Sequence, residues 1–243
     1  MNVTPKCIHN PDPPRILAQT AYFCYHILLF ATTENCLTMS GKEAIPEHLA
    51  PRRGELVMFE NPLLERLSHI SPRTVLAIFI PYGALAFYQG LRVGTDLATA
   101  AWLFLAGIFF WTFFEYIMHR FLFHFYPDWK FQQRLQFTMH GVHHQYPNDK
   151  DRLVMPITVS IPLSVLLLGT FHLLLGDRAW SFFSGVMLGY LAYDMIHYAI
   201  HFFTRIKHPL FLKLRQHHMN HHFRDPRRGF GVSSSLWDHL FRT

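Results

Sequence analysis

Charge is scarce in this chain. Only 16% of its 243 residues are Asp, Glu, Lys or Arg, against about 25% in an ordinary soluble domain. A chain so poorly charged and 50% hydrophobic points toward lipid rather than a water-covered surface. Cysteine is scarcer still, with 3 residues (Cys7, Cys24 and Cys36), all close to the N-terminus. That spread excludes a disulfide framework and a zinc–thiolate site. Carboxylates are few as well: 16 Asp and Glu are outnumbered by 18 His. These acids are nearly absent from the histidine clusters, which differs from the glutamate-rich metal site of soluble helix bundles. No internal repeat or low-complexity tract is present. The length suits one domain with a short extension.

Long apolar runs are abundant. Four lie at about Thr74–Gln89, Ala98–Ile117, Leu153–Leu175 and Ala179–Ala199, and a bilayer core takes roughly 20 apolar residues of helix. Any one could be a buried helix of a soluble core, but four in so short a chain predict two membrane hairpins. The basic residues give an independent check. Seven Lys/Arg precede the first run and eight follow the last. Arg120, Lys130, Arg134, Lys150 and Arg152 lie in the central loop, while Arg92 and Arg178 stand alone in the other two. Alternate sides thus carry twenty against two, which places both termini and the central loop in the cytosol. The expectation is an all-α integral membrane protein of four transmembrane helices with a cytosolic helical cap. Residues 1–58 read as a tail and linker and 59–243 as the membrane domain. The apolar stretch Ile16–Ala31 has poor flanks for a signal peptide, and Met39 is a plausible start.

From His119 onward the histidines cluster. His119 and His124 form HxxxxH; His140, His143 and His144 form HxxHH; His197 and His201 form HxxxH; His218, His221 and His222 form a second HxxHH. On a helix, positions i, i+3 and i+4 share one face, so three of these clusters aim imidazoles together. The pair His119/His124 does not fit an ideal helix and requires a helix end or a local distortion. Neutral imidazole is the commonest protein metal ligand, and ten of them suit two ions. One cluster is easily coincidence; four on one side of a membrane are not. His9, His26, His48, His69, His172 and His208 are spare. His217 is ambiguous, and His239 is either an outer neighbour of the site or surface. Glu115, four residues before His119, and Asp194, three before His197, are placed to accept the second ring N–H of those histidines. Gly229 and Gly231 around Phe230 predict a tight turn near the site. The aromatics Trp111, Phe113, Phe114, Tyr190 and Tyr193 serve equally well as an acyl channel or as ordinary packing.

Three stretches carry a resemblance: Trp111–His124 (WTFFEYIMHRFLFH), Gly185–His201 (GVMLGYLAYDMIHYAIH) and His217–Phe241 (HHMNHHFRDPRRGFGVSSSLWDHLF). They resemble the fatty acid hydroxylase superfamily, in its sphingolipid (ceramide) fatty acid 2-hydroxylase branch, over about Phe59–Phe241. The resemblance implies that all ten clustered histidines ligate a dimetal centre, with Tyr193 and Asp194 matching a YD pair beside it. It implies iron for activity, zinc as an ion found bound in such proteins, and O₂ as cosubstrate. It also implies a ceramide or fatty acyl substrate and location in the endoplasmic reticulum. Relatives often carry a fused cytochrome b5 domain with an HPGG motif. No HPGG occurs here, so the chain resembles a short form fed by a separate cytochrome b5 and its reductase. Nucleic acid is not an expected partner. A lipid desaturase or sterol oxidase of the same histidine architecture, a metal transporter, and a metal-binding membrane protein without turnover remain as alternatives.

Overall fold

The computed structural model describes residues 57–124 and 129–243. Residues 1–56, with the three cysteines, the Ile16–Ala31 stretch and His9, His26 and His48, lie outside the described residues. Among the described residues every regular element is helical.

Local chemistry sets the helix starts. Helix α1 (Pro62–Ser68) begins with proline, and the Asn61 side chain accepts from the Leu63 amide at 2.9 Å. Helix α2 (Pro72–Arg92) begins likewise, with Ser71 accepting from the Thr74 amide. Asp96 caps α3 (Leu97–Ile117) through the Thr99 amide at 3.0 Å. These caps satisfy amides that have no partner inside the helix. Helix α3 runs on into a π-helical stretch, Met118–Phe123. The central segment is α4 (Lys130–Gln136), a second π-helical stretch (Phe137–Gly141) and α5 (Val142–Gln145). Helix α6 (Ile157–Leu175) stops at Gly176, whose φ of 59° favours glycine. A short 3₁₀ turn leads into α7 (Ala179–Phe202), followed by α8 (Pro209–Phe223) and α9 (Leu236–Phe241).

Among the described residues three helical runs are long and apolar enough to cross a membrane: Pro72–Arg92, Leu97–Phe123 and Ile157–Phe202. The last, of 46 residues, is two antiparallel helices. Phe171 near the end of α6 meets Phe182 near the start of α7, ring centroids 4.9 Å apart. Val159 at the other end of α6 shares a cleft with Tyr193 and His197 of α7. The apolar run begins at Leu153, but the helix starts at Ile157. Pro156 disfavours helix in the residue before it and has no amide to donate. Leu153 and Val154 are instead buried in the preceding bend.

Helix α7 is the centre, with α2, α3 and α6 packed around it. Its contact with α3 is close because both carry glycine there. A Cβ at Gly185 would lie 1.9 Å from the Phe104 carbonyl oxygen, and one at Gly107 would lie 2.1 Å from that of Phe182. Small residues that let backbones approach are a means of helix association in lipid. Phe79, Trp111, Phe183, Val186, Met187 and Tyr190 fill the core between these helices. Many remaining large apolar side chains, such as Trp102, Leu105, Phe109, Leu166 and Leu173, face outward. Helix α9 docks on α3 through Trp237, whose indole N–H donates to Thr112 Oγ at 3.0 Å and whose ring meets Phe113.

Candidate metal centre

All ten clustered histidines converge at the ends of α3 and α7. They divide into two groups of five: His119, His124, His140, His144 and His221, and His143, His197, His201, His218 and His222. Within each group the potential ligand atoms lie within 4.8 Å of one another. Eight of the ten rings are buried, with His124 and His201 partly so. The HxxHH spacing does more than share a face. His140 and His144, i and i+4, enter the first group, whereas His143 enters the second. His221 and His222 are divided in the same way, so each HxxHH cluster straddles both groups.

The awkward pair His119/His124 is resolved by the π-helical stretch between them. Its wider turn pairs i with i+5, and the two rings lie with centroids 4.9 Å apart. This is the local distortion that the spacing required.

Proton accounting tests whether these donors fit a metal. His140 Nε2 lies 2.9 Å from the Nε2 of His119, 3.1 Å from that of His124 and 2.9 Å from that of His144. One imidazole nitrogen offers either one proton or one lone pair, so hydrogen bonds cannot satisfy three such neighbours. A cation at the point of convergence accepts every lone pair. Two nitrogens at right angles, each roughly 2.0–2.1 Å from an ion, stand about 2.9 Å apart. The second group repeats the spacing, with His197 to His143 at 3.0 Å and His218 to His201 at 3.1 Å. His222 is buried, and neither of its ring nitrogens has a hydrogen-bond partner among the described residues. A buried polar atom left so costs about 1–3 kcal/mol. Burial, reinforced by neighbouring imidazoles, holds His140, His143, His144, His218, His221 and His222 well below the ordinary imidazole value. They are neutral at physiological pH, the form that ligates. The residues fit two ions.

The surroundings differ from expectation at Glu115. Its carboxylate, buried beneath the C-terminal segment, does not take the His119 ring N–H. It accepts from the Val232 and Ser233 amides at 2.6 and 2.7 Å and from the Ser233 hydroxyl. His119 Nδ1 donates instead to the Phe230 carbonyl at 2.5 Å, and His221 Nδ1 donates to that of Arg228 at 2.7 Å. Gly229 and Gly231 do make a turn against the site: Gly229 has φ 77°, and a Cβ on Gly231 would lie 2.0 Å from the Ser234 carbonyl oxygen. Asp194 is buried, but its Oδ2 and the His197 Nδ1 both lack partners among the described residues. The expected bond between those atoms is not made. The Tyr193 ring lies 5.7 Å from that of His197.

Sequence reasoning missed Asp238. It accepts from the Phe230 and Gly231 amides at 2.8 Å each, from the Thr243 hydroxyl, and from His217 Nε2 at 3.0 Å. Burial alone would raise its carboxyl, but the hydrogen bonds from His217, Gly231 and Phe230 outweigh it and hold the group below the usual carboxylate range. His217 is therefore occupied by Asp238 and belongs to neither five-histidine group. His239, exposed, bonds the Ser235 carbonyl. His69 bonds Arg152, and His172 meets Trp180. Nothing in the sequence marked Asp238 as inward-facing, although it falls within the quoted SSSLWD stretch.

One cleft reaches both groups. It is lined by Met58, Met139, Met155 and Val159 and leads to His140, His143, His197, Tyr193 and Asp194. Of the five aromatics considered for an acyl channel, Tyr193 lines it. Trp111 and Tyr190 instead pack together in the core, 5.4 Å apart. Arg152 closes one wall. Its buried guanidinium pairs with Glu65 of α1, with Asp149 at 2.6 Å and with His69 Nε2 at 2.6 Å.

The two groups of five imidazoles, mostly buried in a helical protein, could each hold a metal ion. The chain is a member of the fatty acid hydroxylase family, whose sequence model matches residues 104–243. It is 36% identical to the fatty acid 2-hydroxylase of Homo sapiens over 76% of this chain, and it spans 56% of that relative's length. It is 32% identical to a dihydroceramide fatty acyl 2-hydroxylase of Arabidopsis thaliana, over 83% of this chain and 85% of the relative. The solved structure of full-length scs7p, in which only the hydroxylase domain is visible, superposes with a TM-score of 0.75 at 33% identity. That match covers 85% of this chain and 80% of the other.

Proposed function

We propose that this chain is a membrane fatty acid 2-hydroxylase acting on the acyl chain of ceramide or its precursors. The observation that carries the reading is a largely apolar cleft that ends on histidines of both donor groups. Relatives named for the 2-hydroxylation of fatty acids and of dihydroceramide fatty acyl chains support the substrate class.

The ten histidines hold two ions. Iron, when bound, supplies the two-electron activation of O₂; zinc suits the same donors but has no redox chemistry. The overall reaction consumes O₂, two electrons and two protons. It replaces one hydrogen on the carbon beside the acyl carbonyl with hydroxyl and releases water. The chain's residues supply position. The methionine-lined cleft takes the flexible acyl tail and excludes water. Tyr193 and Asp194, on the cleft wall beside His197, meet the polar end of the acyl group. Electrons arrive from a cytochrome b5 and its reductase.

The four apolar helices α2, α3, α6 and α7 cross the membrane, the antiparallel pair α6–α7 making two of the crossings. Both termini and the histidines then lie on the basic, cytosolic side of the endoplasmic reticulum. Residues 59–243 form the hydroxylase domain, and residues 1–58 are a tail and linker.

The test is expression of the full chain in cells deficient in 2-hydroxylated sphingolipid, followed by mass spectrometry of ceramides. Wild type is expected to restore species one oxygen heavier, and His143→Ala is not. Ceramides lacking two hydrogens would mark a desaturase, and unchanged lipid would mark a protein without this turnover.

A further inference from the structure

Four consecutive backbone amides, Phe230 to Ser233, are held by two carboxylates that lie far apart in sequence. Asp238 of α9 takes the first two, and Glu115 of α3 takes the second two. Two carbonyls at and just before this segment meet histidines: Phe230 accepts from His119, and Arg228, two residues upstream of the held amides, accepts from His221. The Phe230 ring packs on His119, His124 and His221, with centroids 5.6–5.7 Å away. All three histidines belong to the same donor group. Among the described residues no hydrogen bond runs from this turn to a histidine of the other group.

We infer that Glu115 and Asp238 are positioning residues for one ion alone, the one held by His119, His124, His140, His144 and His221. The inference rests on the metal reading above. An outer partner that fixes a ligating imidazole selects its tautomer and ring orientation and raises its basicity. Here the partners are carbonyls, and the carboxylates act one step further out by holding those carbonyls in place. Removing either carboxylate frees two buried amides and lets the turn drift. The donor nitrogens of His119 and His221 then lose their fixed direction, while the second group keeps its geometry. The two ions are accordingly unequal in what holds them.

The test uses the full chain purified in detergent and loaded with iron(II) or, separately, zinc. Bound metal is counted by elemental analysis during a chelator titration. Wild type is expected to hold two ions. In Glu115→Ala and Asp238→Ala one ion is expected to leave at roughly 10–100-fold lower chelator, and the other to leave as in wild type. Asp238 also bonds His217, which precedes His218 of the second group, so His217→Gln serves as a control and is expected to leave both ions unchanged. Should either carboxyl variant fail to fold, Ser233→Ala carries the test, because it removes one hydroxyl bond to Glu115 and is expected to weaken the same single ion. Equal weakening of both ions, or of neither, in a folded variant overturns the inference and leaves the metal reading intact. Wild type holding fewer than two ions defeats that reading and the inference with it.

Discussion

His144 and His222 stack face to face, with centroids 4.1 Å apart and planes inclined by 16°, yet they belong to different donor groups. Each has a chain neighbour that serves the opposite group, His143 beside His144 and His221 beside His222. The two HxxHH clusters are thus bridges between two centres.

Single histidine variants should therefore separate the ions. His144→Ala is expected to lose the first ion and His143→Ala the second, although the residues are adjacent in sequence. Each should lower hydroxylation at least about 100-fold, since loss of an outer partner alone costs 10–100-fold. Elemental analysis of the purified variants checks this, with one ion remaining in each.

The α3–α7 contact should be intolerant of added volume. Gly185→Ala places a methyl 1.9 Å from the Phe104 carbonyl oxygen and is expected to destabilise by about 1–3 kcal/mol. Gly169→Ala on α6, with nothing within 4 Å of the new atom, should be neutral or stabilise by up to about 1 kcal/mol. Melting temperatures in one detergent distinguish the two.

Arg152 holds α1 against the segment that follows Asp149. Arg152→Met leaves the carboxylates of Glu65 and Asp149 facing each other without their shared cation. Breaking a buried pair costs about 3–5 kcal/mol, and with Glu65 and Asp149 each 20% exposed the lower end is expected. Protease susceptibility near residues 57–70 should rise with it.

Acid should weaken the metal-stripped protein. The folded values of His140, His143, His144, His218, His221 and His222 lie well below 6.5. As pH falls through about 6.5, the unfolded chain takes up protons that the folded chain refuses, so stability declines. Above that value the penalty is absent. Thermal unfolding at pH 7.5 and 5.5 is expected to show a lower melting temperature at pH 5.5; equal temperatures would contradict the neutral, buried state of these rings.

Much of the site was legible because its chemistry is periodic. Imidazoles spaced for one helix face can be read from sequence, as can apolar runs of membrane length. What holds the imidazoles was not legible. Glu115 binds residues more than a hundred positions away, and only the fold brings α3 to that turn. The carbonyls of Phe230 and Arg228 are backbone and carry no residue signature. The π-helical turn at Met118–Phe123 was foreseeable only as a requirement of the His119/His124 spacing. Leu153 was assigned to a helix on hydropathy, which does not register that Pro156 delays the start.

Isotope tracing follows the oxygen atom that the proposed hydroxylation inserts. Membranes containing the iron-loaded chain, a cytochrome b5 reducing system and a saturated ceramide are incubated under oxygen-18 gas. One heavy oxygen is expected, in a hydroxyl on the carbon beside the acyl carbonyl. A hydroxyl carrying only the light oxygen of water, or heavy oxygen placed elsewhere on the chain, would contradict the proposed hydroxylation.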